Sequence, residues 1–175
     1  MATKSKSNEK MHDSKFHELF VEELKDIYWA ESHLAKALPK MAKAATTPEL
    51  TKAIENHTKE TEEHVKRLEK VFEHLGLKAS GKKCPAMEGL LEEGKEVIED
   101  TKSDSMVRDA GIIIGSQKIE HYEIAAYGSL AALAKKMGHK ESLKLLEQTL
   151  EEEKKTDSLL TQIAEEHVNE EAAKE

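Results

Sequence analysis

The chain has a single cysteine, Cys84, in 175 residues. One thiol makes no internal disulfide and no multi-cysteine zinc site, which points to a reducing compartment with the cytoplasm as default. Proline and glycine are scarce at 3 and 8 residues, too little turn chemistry for the many short strands of a sandwich or barrel. Aromatic residues make up only 4%. No stretch approaches the roughly 18 consecutive apolar residues of a membrane span. The opening MATKSKSNEK is basic without an apolar run behind it, unlike a secretory signal. Base is outnumbered by acid, 27 Lys+Arg against 35 Asp+Glu for a net charge of −8. No basic stripe follows the first ten residues, so the pattern that neutralises phosphates in a nucleic-acid binder is missing.

What the chain has in abundance is charge, 35% of residues, interleaved with 38% hydrophobic residues at helical period. The length fits one domain, able to bury roughly two thirds of its unfolded surface without covalent staples. Residues 1–13 read as a disordered polar arm and 169–175 as a fraying tail, leaving 14–168 as an all-α domain. A first seam runs Phe20, Leu24, Ile27, Glu31, Leu34, Leu38, Met41 and Ala45, with Pro39 expected to kink it. Thr46-Thr47-Pro48-Glu49 combines a hydroxyl cap, an N1 proline and a first-turn acid. The next seam is Leu50, Ile54, His57, Thr61, His64, Leu68, Val71 and Leu75, with Glu60 beside it and Gly76 at its end.

A basic turn over 78–85 leads to a short helical segment weakened by Gly89 and Gly94. A third long helix starts near Ser105, carries Gln117, Glu120, Ile124 and Tyr127 on its seam with Glu123 flanking, and stops at Gly138. The fourth seam reads Leu143, Leu146, Leu150, Glu153, Asp157, Leu160, Ala164 and His167. Short turns pair the long helices as two hairpins, and the long connection between them gives a four-helix bundle of ferritin-like connectivity, its crossover holding the short fifth helix.

Counting away from each turn sets Glu31 opposite about residue 62, Glu120 opposite Asp157 and Glu123 opposite Glu153. At an acid frequency of 35/175, or 20%, four acidic seam positions on four helices arise by chance about once in 600. Carboxylates in a low-dielectric core cost several kcal/mol and repel one another, so protons or metal ions must neutralise them. Two divalent cations would answer four or more carboxylates and an imidazole, and an oxygen-rich donor set suits iron or manganese better than structural zinc. The bland alternative leaves these acids facing solvent or holding protons in a polar core.

The runs ELKDIYWAE, HTKETEEHVKRLE, KCPAMEGLLEEGKEVIE, VRDAGIIIGSQKIEHYEIAAYG and TLEEEKKTD resemble the YciF-type family of small ferritin-like bacterial proteins, also catalogued as a domain of unknown function. The likeness spans about residues 15–165 and is most specific in QKIEHYEIAAYG. It implies a ferritin-like bundle, a rubrerythrin-like centre with two iron or manganese ions per subunit, a homodimer and a link to stress responses, with no established activity.

Carried over, the ligands would be Glu31, Glu120 and Glu123, and Glu153; the seam of the second helix adds His57 and Glu60 as candidates. The sequence departs from the Glu-x-x-His pattern. His57-Thr58-Lys59-Glu60 reverses the order, and Asp157 follows Glu153 by four residues where a histidine would follow by three. His64 and Asp157 fit partners that orient ligands. Tyr127 is placed either to exchange an electron with the centre or to serve as a core aromatic. His121 points about 100° away from Glu120, toward a surface. Cys84, in a basic loop, has the setting of a thiol with lowered pKa. Two functions remain open: an enzyme whose centre reacts with a small oxidant, peroxide or oxygen, in ferroxidase- or peroxidase-like chemistry, or a dimeric stress-response scaffold with a structural or vestigial site.

Overall fold

The computed structural model describes residues 14–175, so the arm expected over 1–13 lies outside the described residues. The chain is all-α, with no strand among the described residues. The helices are α1 (Lys15–Ala44), α2 (Pro48–His74), α3 (Pro85–Asp100), α4 (Met106–Met137) and α5 (Lys140–Ile163). A π-helical turn (Ala164–Val168) and a last short helix, α6 (Asn169–Ala172), complete the chain.

Local chemistry sets the boundaries. Ser14, Thr47 and Ser105 each accept a hydrogen bond at the start of α1, α2 and α4, from the amides of His17, Leu50 and Arg108, satisfying donors that a helix leaves open. Gly138 closes α4 at φ +78°, a left-handed conformation in which a Cβ would be strained. Pro39 sits inside α1, which stays helical to Ala44. The segment expected to fray over 169–175 is instead helical over Asn169–Ala172, and Glu175 carboxylate oxygens accept from the Met106 and Val107 amides at 2.8 and 3.4 Å, over the start of α4.

Helix α1 packs on α2, α4 on α5, α2 on α5 and α1 on α4, while α3 lies across α4 and α1. The core between them is filled mainly by aliphatic side chains, among them Leu24, Ile27, Leu34, Ile54, Leu68, Ile113, Ile119, Leu146 and Leu160. Helix α3 rests directly on α4 because glycine removes the bulk between them. A Cβ at Gly111 would stand 2.6 Å from Val97 Cγ1, and one at Gly115 would stand 3.9 Å from the Gly94 Cα. Cys84 caps α3 through its sulfur, 3.3 Å from the Met87 amide. It is 1% exposed, and burial pushes its thiol up from the ordinary value, which corrects the expectation of a reactive, lowered-pKa cysteine.

One buried acid ties the hairpins together. Asp109, on the first turn of α4, accepts from the Thr46 amide at 2.6 Å, the Thr47 amide at 2.8 Å and the Thr47 hydroxyl at 2.7 Å. The start of α2 is thus capped by a carboxylate from α4, where the helix dipole adds to three charge-assisted bonds. Asp109→Ala strands those donors and should cost on the order of 2–4 kcal/mol, lowering the melting temperature by roughly 5–15 °C for a chain of this size. Asp109→Asn, which keeps one acceptor, should lose less. Thermal unfolding followed by circular dichroism checks both, and an unchanged midpoint for the alanine variant would contradict the capping role.

Candidate metal centre

Six titratable side chains from the four long helices meet inside this core. Glu31 comes from α1, His57 and His64 from α2, Glu120 and Glu123 from α4, and Glu153 from α5, all between 0 and 4% exposed. The spacing puts them there. His57 and His64 are two helical turns apart on one stripe, and Glu120 and Glu123 are successive steps on one face. Their donor atoms form two overlapping groups, His57 with Glu120, Glu123 and Glu153, and Glu31 with His64 and Glu153. Within each group the atoms lie no more than 4.8 Å apart, and Glu153 belongs to both.

His57 Nε2 is 3.1 Å from Glu120 Oε1, and His64 Nδ1 is 3.0 Å from Glu153 Oε1 and 3.4 Å from Glu31 Oε1. These are ion-pair distances without hydrogen-bond geometry, so both ring nitrogens count among the buried polar atoms with no hydrogen-bond partner. Glu31 Oε2, Glu120 Oε2 and both carboxylate oxygens of Glu123 and Glu153 share that condition. Tyr127, fully buried, donates its hydroxyl to Glu31 Oε1.

Burial and mutual charge shift these groups strongly. Burial raises Glu123 well above the carboxylate range, and the charges of Glu31, Glu153 and Glu120 push the same way. Burial also lifts Glu153 to about 7, held back by its contact with His64. For the histidines burial disfavours the cation, yet Glu120 overrides it and lifts His57 to about 9, while Glu153 and Glu31 lift His64 to about 11. Burial and the Glu31 charge push the Tyr127 phenol well up. Without a metal ion, protons therefore hold the acids together.

Two sequence-predicted positions fall outside the cluster. Glu60 is 48% exposed, its Oε2 4.0 Å from the outward Nδ1 of His57. His57, Thr61, His64 and Leu68 occupy a stripe about 60° wide, and Glu60 lies about 70° from its centre. Thr61, not Glu60, takes the inward position on that turn. Asp157, 25% exposed in its side chain, pairs with His121 at 3.3 Å and accepts from Gln117 at 3.1 Å. His121 is 71% exposed, on the surface as its helical angle predicts. His64, left open between a ligand and a partner that orients ligands, is a member of the second donor group; its position seven residues after His57 was the available signal. Glu152, which contacts the outer side of His64, and Arg67, which pairs with Glu152, carried no seam signature.

The raised groups set the sign of the pH dependence in metal-free protein. His57, His64 and Glu153 bind their protons more tightly folded than unfolded, so stability falls as pH rises. The His57 contribution is complete below pH 6.5 and is lost as pH climbs through about 9; His64 extends the decline toward about 11. Chelator-treated protein should lose several degrees of melting temperature between pH 6.5 and 9, and His57→Gln should flatten that slope. A midpoint that rises over this window would sink the assignment.

Relatives of known structure share the overall fold. Protein YciF of Escherichia coli K12 is 47% identical over 156 residues, covering 89% of this chain and 93% of that protein. The crystal structure of the E. coli stress protein YciF matches at a TM-score of 0.85 and 46% identity, over 89% of this chain and 98% of that one. YcfI from Rhodopseudomonas palustris matches at 0.82 and 40% identity, over 85% and 94% of the two chains. The family described as "Domain of unknown function (DUF892)" matches residues 15–173, nearly every described residue, and the chain belongs to that family.

Proposed function

We propose that the protein is a ferritin-like four-helix bundle holding a dinuclear non-haem centre of iron or manganese, and that this centre reacts with peroxide or oxygen during stress. One observation carries the reading: eight buried donor atoms on six converging side chains have no hydrogen-bond partner, a condition that is costly unless a cation satisfies it. His57, Glu120 and Glu123 would hold one ion and Glu31 and His64 the other, with Glu153 between them. Six candidate ligands with four carboxylates and two imidazoles suit iron or manganese, and the set contains no sulfur, which structural zinc favours. When bound, such ions supply Lewis-acid and one-electron redox chemistry. The chain's own part is to orient and to exclude water. Tyr127 fixes Glu31 through its hydroxyl, and the surrounding aliphatic core keeps the layer dry. The stress link rests on the E. coli relative, itself a stress protein; a cytoplasmic homodimer completes the proposal.

A second reading is a structural centre inside a stress-response scaffold. What favours it is the enclosure of the site. Two surface grooves, one beside Trp29 and Leu91 and one beside Pro39 and Thr58, are lined by none of the six residues.

Metal-free protein loaded anaerobically with Fe2+ should bind two ions per chain by elemental analysis, Glu153→Ala should lose most of both, and Glu31→Ala should lose one. Peroxide or air should then change the visible absorption of the loaded protein within seconds. Two tightly bound ions with no response to oxidant would leave the scaffold reading, and no bound ion would overturn both.

A further inference from the structure

We propose that Arg67 and Glu152 are positioning residues that lock His64 so that Nδ1 alone is offered inward as a metal donor; the proposal rests on the dinuclear reading above. His64 is fully buried, and its two ring nitrogens face opposite environments. Nδ1 points to Glu31 and Glu153. Nε2 lies 2.9 Å from Glu152 Oε2 in hydrogen-bond geometry. The same carboxylate is gripped from outside by the Arg67 fork, Nη1 to Oε2 at 2.5 Å and Nη2 to Oε1 at 3.0 Å, and Gln148 donates to Oε1 at 3.3 Å. Arg67 Nη1 also reaches the Thr149 hydroxyl at 3.2 Å, which fixes the guanidinium between α2 and α5.

An ionised carboxylate only accepts hydrogen bonds. With the Arg67 fork holding Glu152 in place as an acceptor, the carboxylate takes the Nε2–H of His64 and leaves Nδ1 as the inward lone-pair donor. A carboxylate behind a metal-bound imidazole also raises its donor strength. The Arg67 charge offsets that of Glu152, so the outer acid does not itself draw a cation away from the interior.

His57 has no comparable lock. Its outward Nδ1 meets the Thr156 hydroxyl at 3.4 Å, a group that can donate or accept, and Glu60 at 4.0 Å. The two subsites are therefore unequal, and the one containing His64 is the better prepared.

Full-length metal-free protein titrated with Zn2+ and followed by 15N-imidazole NMR reads the proton positions directly. The expected spectrum shows the His64 Nδ1 signal moved by metal and Nε2 still carrying hydrogen. Co2+ titrations followed by visible absorption should show Glu152→Ala weakening one ion by 10–100-fold and the other by less than about twofold. Glu152→Gln, which keeps an acceptor for Nε2, should recover part of that loss, and Arg67→Ala should fall between the two. Metal on Nε2 of His64, or equal affinities in wild type and Glu152→Ala, would overturn the proposal while leaving the centre intact. A wild-type chain that binds neither Zn2+ nor Co2+ would overturn the dinuclear reading and this proposal with it. The NMR measurement needs no variant, so the proposal remains falsifiable even if Glu152→Ala does not fold.

Discussion

Four carboxylates and two imidazoles buried in one layer of an aliphatic core are the constraint around which this chain is organised. Like charges confined at low dielectric repel strongly. The structure answers partly by alternation: each imidazole lies against carboxylates from other helices, and the fully buried Glu123 is driven toward its neutral form. Everything that fixes helix rotation then matters for chemistry. A helix turned by one residue would move a ligand about 100° out of the layer, so the caps, the Asp109 clasp and the glycine crossing of α3 on α4 all bear on a site that none of them touches.

Much of this was written in periodicity. Long seams with one or two acids apiece specify helices whose apolar faces carry a polar layer, and counting from the turns sets the acids at matching heights. Glu31, His57, Glu120, Glu123 and Glu153 were legible in that way because they sit on or beside the centre of their stripe. Glu60 was misread because it lies beside the stripe of α2 and near the height of Glu31 when counted from the turn, whereas the inward stripe passes through Thr61. His64 was on the stripe, yet nothing in a sequence says which of two ring nitrogens faces inward.

The outer partners were the illegible part. Arg67 and Glu152 sit in charged runs that read as solvated helix faces, and in isolation each is ordinary. Their meaning comes from α2 and α5 facing each other, a relation between residues 85 positions apart in sequence. The same holds for Asp109, whose two partner residues, Thr46 and Thr47, lie across the long connection. Local pattern reveals what one helix wants to bury; it does not reveal which distant side chain will finish the hydrogen bonds.

Glu153 is common to both donor groups, and this has a thermodynamic consequence. Two sites that draw on one carboxylate are energetically linked, so whatever occupies the first alters the free energy of occupying the second, and by reciprocity the second alters the first by the same factor. The sign is set by competing effects. A first cation removes the repulsion that held protons in the layer and pre-orients the shared oxygens, but it also adds a positive charge beside the vacant position. Proton release bound up with that exchange makes the linkage depend on pH, so the interior behaves as one ionic unit with several stoichiometries, not as two independent sites.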